Sequence, residues 1–227
     1  MRPGRQVQLF YDDRKPLLRL DDVLDAMHRA RVDVPIPRTW RLPLDAPLPA
    51  DLAFPLFVRT AFSSWKLGGR ISKVRNRSQL ESESSELRRA LGWDSLILAR
   101  QWLDLAEAGR GVYGPVPVEV RTWIVNGAAH AWSFHYMNVV TKPKGFPLSS
   151  TDIQNLRDLA NRVAPAFKSR LVVADFAKTV RGEWVFIEAG PGSCAGTGHE
   201  AVFKSVAASL CGRELPATDD DLGGHFQ

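Results

Sequence analysis

A mixed α+β fold is predicted for this chain by three features of its sequence. Asn126-Gly127 sits between two alternating runs that span Val118–Tyr136, and this dipeptide tolerates the positive φ angles of a type I′ hairpin turn. Leu171–Ala177 and Glu183–Glu188 read as a second pair of strands, joined across Arg181-Gly182. Four further segments carry helical spacing or helix-start signals, so antiparallel sheet and helices share the 227 residues.

The first ten or so residues suit a short strand or lead-in. Leu20–Arg31 is predicted to be helical because Leu20, Val23, Leu24 and Met27 recur at i, i+3, i+4 and i+7, and Val34-Pro35-Ile36-Pro37 ends it in extended chain. Phe54–Thr60 is an apolar run fit for a buried strand, and the polar, glycine-bearing Ala61–Gly69 that follows is a loop. Ser78-Gln79-Leu80-Glu81 has the form of a capping box, opening a helix to about Leu91 before Gly92. Ser95–Ala99 is a buried strand. Period-two alternation in the hairpin puts Glu119, Arg121 and Trp123 on one face, and such a face is either solvent or a polar cleft. Thr151-Asp152-Ile153-Gln154 is a second capping pattern, starting a helix to about Phe167 whose last turn Pro165 frays. Pro191–Gly198 is a small-residue loop, and His199–Leu210 a closing helix.

Composition narrows the class. Hydrophobic residues at 44% and charged residues at 24% exclude wholesale disorder. No stretch reaches the roughly 18 to 20 uncharged apolar residues that cross a bilayer as a helix, and the first residues lead into no secretory h-region. A cytoplasmic location without a membrane partner is therefore expected. Cys194 and Cys211 have no partners at zinc spacing and are expected as buried free thiols. A formal charge of +5 favours anionic partners, and its densest run, Arg70–Arg77, suits nucleic acid or a nucleoside triphosphate, against the default of a solvated basic surface.

Chemistry concentrates in three places. Asp175 and Glu188, near the ends of successive strands, fall close together if those strands pair, and two such carboxylates are hard oxygen ligands of the kind Mg²⁺ takes alongside substrate phosphates. On spacing alone, two unrelated strand-end acids is the simpler reading. The Ala61–Gly69 loop supplies hydroxyls, Lys66 and paired glycines after Arg59, so backbone N–H groups and two cations can surround a polyphosphate. It matches neither Walker A nor GxGxxG, and a flexible surface loop has the same composition. Arg121 is either a cleft residue or half of a surface pair with Glu119. His130 and His135 fall on opposite faces of one strand and are not a pair, and Cys194 reads as a packed thiol rather than a nucleophile.

Taken in order, the segments resemble the ATP-grasp superfamily. Ala26–Thr39 is similar to the helix and valine-proline stretch that precedes that domain, and Pro55–Arg59 with the Ser/Lys/Gly loop to its strand and phosphate-covering loop. Ile97–Asp104 resembles the hinge that receives adenine, and Glu119–Gly127 the central hairpin. Val173–Phe176 with Phe186–Gly192 resembles the metal-binding strand pair. The likeness covers about residues 20 to 211. Arg59 stands where the family often has Lys, and with Lys66 and Arg121 it resembles the compact clade named for two arginines and a lysine.

The resemblance implies an ATP-grasp fold of two α+β subdomains with the nucleotide bound between them, and an N-terminal substrate domain largely absent. The expected division is 1–50 as lead-in strand, helix and extended connection, 51–94 as the small subdomain with the phosphate loop, 95–215 as the large subdomain, and 216–227 as a tail. ATP would be held at its phosphates by Arg59, Ser63, Ser64, Lys66, Gly68 and Gly69, at adenine by Gln101, Trp102 and Leu103, and at ribose by Asp104. Asp175 and Glu188 would hold Mg²⁺, Arg121 and Lys66 would act in catalysis, and Glu119, Arg121 and Ser193 would face the substrate. The implied activity is ATP-dependent ligation of a carboxylate to an amine or similar nucleophile through an acylphosphate, with release of ADP and phosphate. The family's last strand commonly carries Glu-x-Asn, and this chain has Gly190 at the Asn position. That departure and the positive charge favour the rival reading, a catalytically degenerate module that binds nucleotide, nucleic acid or a partner protein. The intact Asp175 and Glu188 oppose it.

Overall fold

The computed structural model describes residues 17–44, 47–61, 73–91, 96–111, 114–135, 148–195, 199–213 and 223–226. The expected lead-in strand and the loop residues Ser63, Ser64, Lys66, Gly68 and Gly69 lie outside them. Helix α1 (Leu20–Arg29) comes first. The described residues fall into two compact units, one of Arg19–Asp21 and Ile36–Asp104, the other of Leu17 and Leu18, Asp22–Pro35 and the described chain from Leu105 onward.

In the first unit, β1 (Thr39–Leu42), β2 (Leu56–Thr60), β3 (Lys73–Val74) and β4 (Ile97–Gln101) form an antiparallel sheet ordered β1-β4-β2-β3. Alternation sends Trp40, Leu42, Leu56, Val74, Ile97 and Ala99 to one face, where Leu80 and Leu87 of α2 (Arg77–Leu91) complete a core. Burying side chains of this size contributes about 1.5 to 3 kcal/mol each. Helix α2 begins one residue before the predicted box. Asn76, not Ser78, is its cap: Asn76 Oδ1 accepts the Gln79 N–H at 3.0 Å, and Gln79 Oε1 accepts the Arg75 N–H at 2.7 Å.

The units divide after Asp104, whereas the sequence division falls at 94/95. Strand β4 is hydrogen-bonded between β1 and β2, which draws 97–104 into the smaller unit together with β1 from the expected lead-in. The reason is that a strand's main-chain donors and acceptors must be satisfied on both edges when it is buried.

The second unit holds a β-ribbon, β5 (Glu107–Gly111) with β6 (Gly114–Pro117), and a five-stranded antiparallel sheet. Its strands are β7 (Glu119–Val125), β8 (Ala128–Phe134), β9 (Leu171–Lys178), β10 (Trp184–Pro191) and β11 (Gly223–His225), ordered β10-β9-β7-β8-β11. The hairpin turn has Asn126 at φ 51° and Gly127 at φ 84°, the two positive values a type I′ turn needs. The residues expected as a tail supply β11, paired to β8.

Helices cover both faces of this sheet. Helix α3 (Ser150–Val163) is capped by Ser149 in a reciprocal box with Asp152, two residues earlier than predicted, and a 3-10 turn at Ala164–Ala166 follows where Pro165 cannot continue the α pattern. Asp152 also accepts from Lys178 Nζ at 2.7 Å and Trp184 Nε1 at 2.9 Å, which anchors α3 to the face that Lys178 presents. On the opposite face, Val202 and Val206 of α4 (Glu200–Leu210) pack against Trp123, Val125, Leu171 and Val173. Cys211, just past α4, is free and exposed rather than buried, because the chain leaves the core at the end of that helix. Among the described residues no helix is long and apolar enough to cross a membrane.

Candidate functional site

A line of register partners crosses the larger sheet. Ser133 on β8 lies opposite Arg121 on β7, Arg121 opposite Asp175 on β9, and Asp175 opposite Glu188 on β10. Cross-strand partners project from one face, so the four side chains form a continuous polar row. Glu188 joins it through a β-bulge. Regular pairing beyond Phe186↔Phe176 would set Ile187 opposite Asp175 and turn Glu188 to the other face, and the extra residue puts Glu188 there instead. The two carboxylates are therefore neighbours, a hard oxygen donor set that fits Mg²⁺.

Arg121 and Asp175 are both buried and joined by two hydrogen bonds, Nε to Oδ1 and Nη2 to Oδ2, each 2.8 Å. The parallel pair is the strongest common form of charge-assisted bond. Burial acts to lower the Arg121 pKa, but the hydrogen bond to Asp175 and the charges of Asp175, Glu188 and Glu119 outweigh it and raise it above the ordinary value. The guanidinium stays charged. The face that carries Arg121 is thus no open surface, since Arg121 and Trp123 are both buried, and Arg121 forms a close ion pair with Asp175.

Glu119 is half-buried two residues along the same face. Its carbonyl accepts the His135 N–H at 2.8 Å, and the His135 ring brings Nδ1 to 3.9 Å from Asp175 Oδ2. Oxygen or nitrogen donors of Glu119, His135 and Asp175 all lie within 4.8 Å of one another. His135 was missed by sequence reasoning. Its signal is parity: it follows Ser133, the partner of Arg121, by two residues. His130 is the extra residue of a bulge between Trp123 and Ile124, which brings it to the α4 face instead of the opposite face expected: its Nε2 is 3.0 Å from Ser205 Oγ and its ring edge-to-face with His225 at 5.6 Å, away from the Asp175 that His135 approaches. Ser193 is exposed in the 3-10 turn Gly192–Cys194 after β10.

The smaller unit carries its own constellation. Thr39, Arg100, Phe57 and Lys73 are successive register partners, as are Arg41, Leu98 and Arg59, so Arg41, Arg59, Arg100 and Lys73 all project from the sheet face opposite the core. Arg59 and Arg100 are buried; Arg59 Nε donates to the Thr60 carbonyl at 3.2 Å and Arg100 Nε to Thr39 Oγ1 at 3.3 Å. Of these four cations the sequence singles out Arg59 for phosphate and Lys73 only within the basic run Arg70–Arg77, because the register that aligns the strands is not written in any one of them.

Gln101 ends β4, exposed, and its N–H donates to the Arg38 carbonyl at 2.8 Å. The Trp102 N–H donates to the Pro55 carbonyl at 3.1 Å. Two of the three amides of the expected adenine hinge, those of Gln101 and Trp102, are thus engaged within the unit. Trp102 Nε1 donates to Asp104 Oδ1 at 3.1 Å, and Lys73 Nζ stands 5.0 Å over the indole and 3.6 Å from Asp104. Leu103 is half-buried and Asp104 exposed.

Residues 22–210 match the family model described as ATP-grasp domain, R2K clade family 3. No curated protein matches the chain. Among solved structures, N5-carboxyaminoimidazole ribonucleotide synthetase from Thermotoga maritima aligns over 92% of this chain and 53% of its own, at 13% identity and TM-score 0.60. D-alanine–D-alanine ligase from Bacillus anthracis, complexed with ATP, aligns over 77% of this chain and 53% of its own, at 15% identity and TM-score 0.54. An L-amino acid ligase from Bacillus licheniformis aligns over 86% and 44%, at 14% identity and TM-score 0.52. At these identities the likeness is one of fold, and the chain spans about half the length of each of these proteins.

Proposed function

Because the chain belongs to family 3 of the R2K clade of ATP-grasp domains, we propose that it is an ATP-dependent ligase that joins a carboxylate to an amine or similar nucleophile. The observation that most supports this reading is the row Arg121–Asp175–Glu188, a line of charged side chains on adjacent strands, of which Arg121 and Asp175 are buried. Charges are held in such a place at a cost, and phosphoryl transfer is chemistry that uses them, being mainly charge neutralisation and in-line positioning.

In the first step a carboxylate oxygen of the substrate bonds to the γ-phosphorus as the bond to the β–γ bridging oxygen breaks, and ADP leaves. The nucleophile's nitrogen then bonds to the acyl carbon, phosphate departs with the C–O electron pair, and the amine proton is released. Asp175 and Glu188 would hold Mg²⁺, which supplies neutralisation of phosphate charge. Arg121 stabilises charge on the transferred group, Glu119 and Ser193 face the acceptor, and Arg59 with Lys66 and the loop residues Ser63, Ser64, Gly68 and Gly69 holds the phosphates. Gln101–Leu103 and Asp104 take adenine and ribose.

The test is ADP release by the intact chain with ATP, Mg²⁺ and pooled small carboxylates and amines. ADP should require both pools and should fall roughly 100-fold or more in Glu188→Gln. A second reading, the degenerate module, is favoured by Gly190, where the third family ligand is missing. No ADP from any pool, with tight ATP binding by calorimetry, would replace the ligase with that module.

A further inference from the structure

We propose that Glu119, His135 and Asp175 form a site for a divalent transition ion of the Mn²⁺, Co²⁺ or Zn²⁺ class, with His135 Nδ1 as its nitrogen ligand. The proposal rests on the reading above only in sharing Asp175 with the carboxylate pair assigned to Mg²⁺. It concerns what binds when no nucleotide is present.

Geometry is the first argument. Donors at bond lengths near 2.1 Å on a tetrahedral ion stand about 3.4 Å apart. The Nδ1 to Oδ2 separation of 3.9 Å, and the limit of 4.8 Å across all three residues, leave only side-chain rotations to close that gap. The backbone already fixes the rest. Asp175 and Glu119 stand on paired neighbouring strands, and the His135 amide is bonded to the Glu119 carbonyl, so the backbone holds all three residues together at one place on the sheet.

Charge is the second argument. The fields of Asp175, Glu188 and Glu119 all bear on Arg121, three carboxylates on one guanidinium. This concentration of carboxylate charge on one sheet face is a field that draws a dication. Arg121 does not exhaust Asp175, because an ionised carboxylate has about four acceptor positions and the guanidinium takes two. The His135 side chain keeps 15% of its exposure against 2% for Asp175.

Ligand chemistry then selects the ion. Imidazole nitrogen is poorly matched to Mg²⁺, which takes oxygen donors and water, whereas one nitrogen with two carboxylates suits Mn²⁺, Co²⁺ or Zn²⁺.

The experiment titrates Co²⁺ and Mn²⁺ into the full chain without ATP and with Mg²⁺ in large excess, following Co²⁺ absorption and nitrogen coupling to Mn²⁺ by pulsed electron paramagnetic resonance. One ion per chain with a histidine nitrogen coupling is expected. His135→Gln should abolish the coupling and weaken binding roughly tenfold or more, and Glu119→Gln should weaken it comparably. His130→Gln, which removes an imidazole at the Ser205 contact instead, should leave the coupling intact. Circular dichroism of each variant separates ligand loss from unfolding, and His135→Asn repeats the test with a smaller side chain. Absence of an Mg²⁺-resistant ion, or a nitrogen coupling that survives in both His135 variants, overturns the site. Neither result bears on ADP release, so the ligase reading stands or falls separately.

Discussion

Arg121 and Asp175 lie 54 residues apart in sequence and directly opposite each other in register, closed by two hydrogen bonds of 2.8 Å in a buried setting. Removing one partner leaves a buried charge without its counterion, which costs about 3 to 5 kcal/mol. Arg121→Ala and Asp175→Ala should each lower the unfolding free energy by that amount in urea titrations, and the double variant should lose less than the sum. Additive losses would mean that the pair contributes little as a pair.

Arg59 and Arg100 share the basic face of the smaller sheet, and we expect both to engage phosphate. Losing one charge-assisted hydrogen bond, about 1.5 to 3 kcal/mol, corresponds to roughly 10- to 150-fold in affinity. Calorimetry of Arg59→Gln and Arg100→Gln should show ATP binding weakened in this range and adenosine binding little changed. Equal losses for both ligands would assign the arginines to packing alone.

Gly190 has room. A Cβ built there meets only Val173 Cγ2, at 3.9 Å, so packing does not exclude the Asn that the Glu-x-Asn pattern would put there. Gly190→Asn should leave stability within about 1 kcal/mol and strengthen Mg²⁺-dependent ATP binding. A folded variant with unchanged Mg²⁺ dependence would remove Asp175 and Glu188 from the metal role.

Acid should destabilise the larger unit in two windows. Burial and the neighbouring His225 charge lower the His130 pKa, against a smaller opposing effect of the Ser205 hydrogen bond, so protons favour the unfolded chain and stability falls as pH drops below about 6.5. Asp152 behaves likewise lower down. Burial tends to raise its pKa, but hydrogen bonds from Lys178, Trp184 and Ser149 prevail and lower it, so its contribution is present above the unfolded value near 3.9 and is lost as pH falls through the folded one. His130→Gln should flatten the urea midpoint between pH 7 and pH 5 while keeping the loss below pH 4. A wild-type profile already flat from pH 7 to pH 5 would contradict the first window.

Gly127 holds φ 84°, and a Cβ there meets nothing within 4 Å, so Gly127→Ala isolates backbone strain from packing. A loss of about 1 to 2 kcal/mol is expected by thermal or urea unfolding. A neutral substitution would show that the turn relaxes to another type.

What could be read from the chain alone was local. The Asn126-Gly127 turn, the breaking of helix α3 at Pro165, and the two strands meeting across Arg181-Gly182 all follow from φ preferences and side-chain periodicity within a few residues. Caps slipped by two positions where a competing acceptor stood slightly upstream, Asn76 before Ser78 and Ser149 before Thr151. The family resemblance rested on the order of such pieces, and it survived because order needs no register.

Register was what only the tertiary structure decided. The bulge at Ile187 is one residue of slack, yet it determines whether Glu188 faces Asp175 or turns to the opposite face of the sheet. The same is true of β4, whose place between β1 and β2 aligned Arg100 with Arg59 and moved the boundary between the units. Arg121 found Asp175 because β7 and β9, far apart in sequence, share one hydrogen-bonded edge. Main-chain donors are chemically alike at every residue, so their choice of partner depends on which pairing buries the whole sheet best, and no local run of side chains records that choice.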